Sequence, residues 1–378
     1  MRVVSHRTLY EDARFHAAFP SLARLSDGHL LLAFRRGRDP RWLLGDSASG
    51  SGIGRSHWDT RSHIATLRLS PDSLETMQVP TVVAADPQAA EQDASLLVLE
   101  SGRVLLGSFG WYPLASAAAP MVVAAMATGL SSDAVIATEL TTFVPWGVSV
   151  RASDDGGSSF GAHHYLAPVP DSGDPWAERR GAYRGGLRGA MVEREGEVLL
   201  AAYDAVGLPA SVHLFVSKDQ GATFSHRACA IRDADRRAGF QEPSLLLTAS
   251  GGLVLFCRTS GLGDALVTAR STDGGRSWSP WKRHSVMGHP YHPLRLRDGR
   301  VLLTYGYRHA PWGVRARLLD AEAGDLDGAD EFVVRSDGEG ADLGSPWAAE
   351  LPGGEVVVAY YWASKSHGRA IVGTRITL

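Results

Sequence analysis

Six times along the chain, an apolar run, a turn carrying glycine and a second apolar run follow one another. The copies are residues 20–34 (PSLARLSDGHLLLAF), 94–109, 189–203, 241–260 (QEPSLLLTASGGLVLFCRTS), 292–305 and 346–360. Each flank is too short, and too closely bounded by glycine, to be a buried helix. The turn residues tolerate the positive φ that a tight hairpin needs. The turn glycines are Gly28, Gly102, Gly196, Gly252, Gly299 and Gly354. A third strand-like run follows every hairpin, at 63–69, 147–152, 211–216, 265–270, 313–319 and 369–378. One unit repeated six times predicts radial repetition: an all-β, six-bladed β-propeller with four-stranded antiparallel blades.

The sixth unit runs out of sequence after its third strand, so the β-prone residues 2–5 are expected to supply its outer strand. The repeat continues to residue 378 without a linker, which points to one domain over 1–378. An insertion rich in Ala and Met, at about 113–145, interrupts the second unit, and a Gly/Ser-rich loop at 45–54 precedes the third strand of the first. The chain is 44% hydrophobic, enough for a large core without staples. Its net charge of −3, from 38 basic and 41 acidic residues, leaves no footprint for nucleic acid or an anionic membrane. Of the two cysteines, Cys257 alternates within an apolar strand and reads as a buried thiol rather than half of a disulfide with Cys229. No apolar leader opens the sequence and no apolar stretch is long enough to span a bilayer, so the expectation is a cytoplasmic chain.

Because the six hairpins open the same way, the residues that enter the first strand or leave the second gather at one end of the central channel. These are His16, Arg35, Asp59, Asp93, Arg188, Glu242, Arg258, His292, Arg308, Ser345 and Tyr361. A funnel holding several arginines and several carboxylates suits an anionic sugar. Arginine grips a carboxylate with a two-pronged fork, one carboxylic acid can protonate a leaving oxygen, and a second carboxylate can assist attack. Four arginines lie between 177 and 188, interleaved with Trp176 and Tyr183, in keeping with an anionic ligand. The pair His289 and His292 has metal-like spacing but no third ligand, and Pro290 and Pro293 break any helix that could present both rings. No metal and no cofactor is therefore expected.

Three of the third strands lead into SDDGGSSF (153–160), SKDQGATF (217–224) and STDGGRSW (271–278), with a degraded copy at 70–72. Asp155, Asp219 and Asp273 can accept backbone N–H bonds inside such a turn, and the aromatic can plug the apolar layer, so these aspartates read as structural. These segments resemble the Asp-boxes of sialidases and related propellers, and with the six hairpins the resemblance covers essentially the whole chain. It implies a sialidase-like glycosidase. Gln241–Glu242 resembles the family's Asn-Glu motif, whose Glu polarises the nucleophile. Arg258 and Arg308 resemble two of its three carboxylate-binding arginines, and Asp59 its acid/base Asp. The resemblance thus implies catalytic roles for Asp59 and Glu242. Arg35, Asp93, Arg188, Arg258, His292, Arg308 and Tyr361 are the expected substrate-binding set, and the expected partner is an anionic carbohydrate. Two positions depart from the family pattern. Ala18–Phe19–Pro20 stands where Arg-Ile-Pro is expected, and Gly344–Ser345 stands where Gly-Tyr would supply the nucleophile. Three functions stay open on these residues. They are exo-hydrolysis of a terminal acidic sugar, uronate elimination with His16 or His292 as base, and a propeller that binds carbohydrate or protein without catalysis.

Overall fold

The computed structural model describes every residue except 45–56, 119, 122–135, 138–139, 205–210, 236 and 365–367. Its strands assort into six separate sheets, each built on four strands in antiparallel order. The innermost strands are Phe15–Arg24, Ala90–Val98, an interrupted pair in blade three (Gly185–Gly186 and Val192–Arg194), Gly239–Leu247, Tyr291–Arg295 and Gly344–Glu350. This is the six-bladed propeller that the hairpin pattern predicts. The third strands also fall where expected, for example His63–Leu69 and Gly313–Leu319. In blade two, Val104–Ala115 and Thr141–Ser153 run together well past the hairpin as a long ribbon, so the described flanks of the insertion are strand. The centre of that insertion and the loop 45–54 lie outside the described residues.

The ring closes as expected, and over more residues. Arg2–Tyr10 pairs antiparallel with Gly368–Thr377, in the register Arg2↔Thr377 to Tyr10↔Ile371. One turn differs from expectation: in 250–252 it is Gly251 (φ 82°), not Gly252, that takes the left-handed position.

The first part of each second strand is mainly apolar because both of its faces are covered. Leu30 and Leu32 pack toward blade six, while Leu31 and Ala33 pack toward blade two. Likewise Leu200 and Ala202 face blade two, and Leu199 and Ala201 face blade four. Strand alternation thus feeds two different interfaces at once. The buried apolar residues form six clusters, one between each pair of neighbouring blades. A fully buried leucine contributes about 1.5–3 kcal/mol, so these interfaces are the main source of stability.

The Asp-boxes sit at the hairpin-turn end of the blades, away from the strand ends that open the channel. The last residue of the third strand of blade four pairs with the first of the second strand, Ser271 with Leu253. In each box one carboxylate gathers the turn. Asp219 accepts from Ser217 Oγ at 2.7 Å, Thr223 N at 2.9 Å and Thr223 Oγ1 at 2.6 Å, and Asp155 and Asp273 repeat the pattern. The turn glycine packs on the neighbouring blade: a Cβ on Gly221 would lie 2.6 Å from Leu105 Cδ2.

Candidate functional site

The channel is furnished by a repeated backbone irregularity. In the innermost strands of blades one, two, four and six the register slips between residues 18 and 21, 92 and 95, 241 and 244, and 344 and 347. The residue inside each slip has positive φ: Phe19 (54°), Asp93 (25°), Glu242 (50°) and Ser345 (46°). A bulge with its first residue in the left-handed region turns that side chain out of the ladder. Here it turns toward the axis, since Asp93 of blade two feels the charge of Glu242 of blade four, and both feel that of Arg188 from blade three. Left-handed φ at four non-glycine residues, one of them Phe, is strain of the kind that accumulates at functional sites. Proline follows three of the four, which keeps the preceding residue out of the right-handed helical region.

Serines next to the bulges bind the blades to one another. Ser21 Oγ accepts from Leu96 N at 2.8 Å, Ser95 Oγ donates to Gly189 O at 2.6 Å, and Ser244 Oγ accepts from Ala190 N at 2.9 Å. Blade three supplies glycine at the equivalent place. Gly189 has φ 150°, and a Cβ there would meet Pro243 O at 2.1 Å.

Glu242 and Arg258 meet as a pair, Arg258 Nη1 to Glu242 Oε1 at 3.1 Å, while Glu242 Oε2 and Arg258 Nε are buried without a partner. Burial pushes the Glu242 carboxyl up, but Arg258, His289, Arg308 and Arg188 outweigh it and hold the group below the usual range, hence ionised. Asp93 lies the other way. Burial, with Glu242 adding repulsion, pushes it up to about 7 against the attraction of Arg188 and Arg35. Arg308 donates from Nε to Leu343 O (3.2 Å) and from Nη2 to Tyr361 Oη (3.1 Å), and Tyr361 donates to Asp342 Oδ1 at 2.9 Å.

Asp342 also takes His57 Nε2 at 2.9 Å and Arg369 Nη2 at 3.0 Å, and lies 3.9 Å from His16 Nε2. These donors overcome the effect of burial and hold Asp342 far below the usual carboxylate range. His16, by contrast, is held neutral by burial, at about 4. Phe19 lies against His57 (ring centroids 4.9 Å) and Tyr361 (5.4 Å), an aromatic wall next to Ala18, the residue that stands where an arginine was expected by resemblance.

Several expected site residues do other work. His292 stays in the ladder opposite Thr304, because the innermost strand of blade five pairs without a register slip to turn it out. It is buried against Trp347 at 4.3 Å and accepts Ala348 N–H on Nδ1 at 3.2 Å, which makes it an interblade contact rather than a substrate ligand. Arg188 crosses the axis and donates to Pro20 O, Ala94 O and Ser345 O at 3.1, 3.2 and 2.7 Å, tying blades one, two and six. Arg35 is fully buried, and Asp59 and Asp93 act on it electrostatically. Asp59 is 6% exposed, with its oxygens occupied by Arg38 N (2.7 Å), Arg38 Nε (2.9 Å), Arg38 Nη2 (2.6 Å) and Arg61 N (3.3 Å).

Sequence reasoning missed His57, Asp342 and His289 as members of the site. His289 acts on Glu242 and lies 3.7 Å from Asp264. All three stand in loops just outside the hairpins, where repeat spacing gives no signal.

A family model, "BNR repeat-like domain", matches residues 135–319. No curated protein matches the chain. Among solved structures, a protein of unknown function from Dyadobacter fermentans is 34% identical over 99% of this chain and 98% of its own, with a TM-score of 0.86. The intramolecular trans-sialidase of Ruminococcus gnavus is 12% identical over 98% of this chain and 96% of its own, with a TM-score of 0.62. The α-L-arabinanase of Penicillium chrysogenum is 11% identical over 100% and 99%, also with a TM-score of 0.62. The chain carries a BNR repeat-like domain over residues 135–319 and shares the six-bladed propeller fold with these proteins.

Proposed function

We propose that the chain is an exo-acting glycoside hydrolase for a terminal acidic sugar of the sialic-acid-like, ketodeoxy or uronic kind. One observation carries this reading: an ionised Glu242 whose Oε2 is buried without a hydrogen-bond donor, in a channel shared with Arg258 and Arg308. An unsatisfied buried carboxylate oxygen is costly and marks a place that a ligand completes. Its charge suits the positive character that develops at the anomeric carbon in glycoside cleavage. Arg258 and Arg308 suit the sugar's own carboxylate. The solved neighbours named as a trans-sialidase and an arabinanase put sugar chemistry on the same fold.

The proton donor is assigned by charge state. Two carboxyls in different environments divide acid and base work when their pKa values are driven apart. Asp93, pushed up to about 7, retains a proton near neutrality, whereas Glu242 does not. Asp59 holds Arg38 on this account and donates nothing. With Ser345 in place of the family's tyrosine, water attacks the anomeric carbon directly. The test is aglycone release from aryl glycosides of the three sugar types. Release from one of them supports hydrolysis, and intact substrate in every case rejects it.

Elimination is the second reading, favoured by His16, a neutral imidazole beside an ionised Asp342 with its Nδ1 unpartnered. New ultraviolet absorbance from an unsaturated uronate would decide for it.

A further inference from the structure

A cavity of about 380 Å³ opens beside blade three, lined in part by Ser172, Asp174, Tyr183, Arg184, His213 and Arg232. Its volume falls within the roughly 300–1,000 Å³ of small-molecule sites. It lies off the channel. Tyr203, the neighbour of the lining residue Asp204, interacts with Glu242, Asp93 and Arg258, while Asp204 accepts from Tyr183 Oη at 3.0 Å. Successive strand residues point to opposite faces, so the end of the strand Glu197–Asp204 separates the cavity from the axis.

The acids on the wall already have partners. Asp174 caps the helix Pro175–Arg180 through Trp176 N (3.0 Å) and Ala177 N (3.1 Å), and takes Arg184 Nε at 2.8 Å. Asp204 receives Tyr183, Ser211 N at 3.3 Å and His213 Nε2 at 3.5 Å, and Asp171 stands exposed at the lip. The donors do not all have partners. Arg184 is 3% exposed, and its Nη1 and Nη2 are both buried without a partner. Two parallel N–H groups of one guanidinium, left open in a built cavity, form the fork that a carboxylate or phosphate fills.

We propose that this cavity is a second binding site, separate from the channel, for a small oxyanion. Arg184 is its anchor, and Arg232 and Ser172 supply further donors. The oxyanion is the carboxylate of an acidic sugar or a free inorganic anion, and two probes distinguish these sources. Calorimetric titration with D-glucuronate and with inorganic phosphate is carried out on the wild type, Arg184→Met, Arg232→Gln and Glu242→Gln.

The expected result is a saturable component that weakens at least about tenfold in Arg184→Met, the loss of roughly one charge-assisted bond. The same component is unchanged in Glu242→Gln. Arg232 is exposed, so Arg232→Gln leaves the fold intact and should weaken binding too, whether or not Arg184→Met folds. Glucuronate binding alone assigns the site to sugar acids, and phosphate binding with equal or greater affinity assigns it to free anions. Two outcomes overturn the proposal: no saturable binding of either probe up to tens of millimolar, or binding abolished by Glu242→Gln and indifferent to Arg184→Met and Arg232→Gln.

Discussion

Arg258 holds one oxygen of Glu242 at 3.1 Å and leaves the other buried and open. Both residues come from one hairpin. Arg258 pairs with Gln241 in the ladder, and the slip that follows swings Glu242 out. The bulge thus joins a carboxylate and its countercharge while freeing half of the carboxylate for a ligand. Removing the cation from a buried carboxylate favours its protonated form. In Arg258→Met the acid limb of the pH–rate profile should therefore move to higher pH, with kcat/KM falling on the order of a hundredfold. An unmoved acid limb would separate Arg258 from the charge state of Glu242.

Tyr361 joins Arg308 (3.1 Å) to Asp342 (2.9 Å) through a single hydroxyl. Tyr361→Phe retains the ring and removes the link, so Arg308 loses orientation but not charge. KM for an acidic substrate should rise several-fold while the melting temperature stays close to that of the wild type. An unchanged KM would mean that the Leu343 carbonyl alone positions Arg308.

Acid should destabilise this fold through buried imidazoles. His292 and His289 are held near 3, and His16 and His163 near 4, burial being the largest cause in each. In the unfolded chain all of them titrate at about 6.5. Below that pH the unfolded state binds protons that the native state refuses, so stability falls from about pH 6.5 toward 3–4, each group adding up to about 1.4 kcal/mol per pH unit. His292→Gln can still accept Ala348 N–H through its amide oxygen, and it should flatten this dependence by about one proton. Urea unfolding at pH 7.5 and 5.5 would show it, and an undiminished slope would exclude His292 as a contributor.

Asp219 lies at the end of blade three remote from the channel, and Ser217 and Thr223 supply its donors. Asp219→Ala should lower stability by about 1 kcal/mol, in the range for losing a few turn hydrogen bonds. Turnover per folded molecule should stay at the wild-type level. Lost activity at an unchanged melting temperature would contradict a purely structural turn.

The ring of blades was legible because hairpin spacing and both-face burial write themselves into residue order. Even the closing strand followed from counting, although as residues 2–5 rather than the full Arg2–Tyr10. The lining of the channel was legible only in part. Whether a hairpin-end residue faces the axis depends on a register slip, and residue type marks that slip weakly. Proline follows Phe19, Glu242 and Ser345, but alanine follows Asp93, and His292 precedes a proline with no slip at all. Arg188 had the right chemistry, yet its donors go to three backbone carbonyls that only the assembled ring brings together. Asp59 likewise had the residue type of an acid by resemblance, but it is held by an Arg38 that no motif announces.

The most direct test compares wild type and Glu242→Gln on acidic aryl glycosides, following aglycone release and the product anomer by NMR. The account predicts release from at least one sialic-acid-like, ketodeoxy or uronic glycoside by the wild type, with inversion at the anomeric carbon. It predicts a loss of on the order of a thousandfold in the variant at an unchanged melting temperature. Equal rates in the two proteins would contradict it.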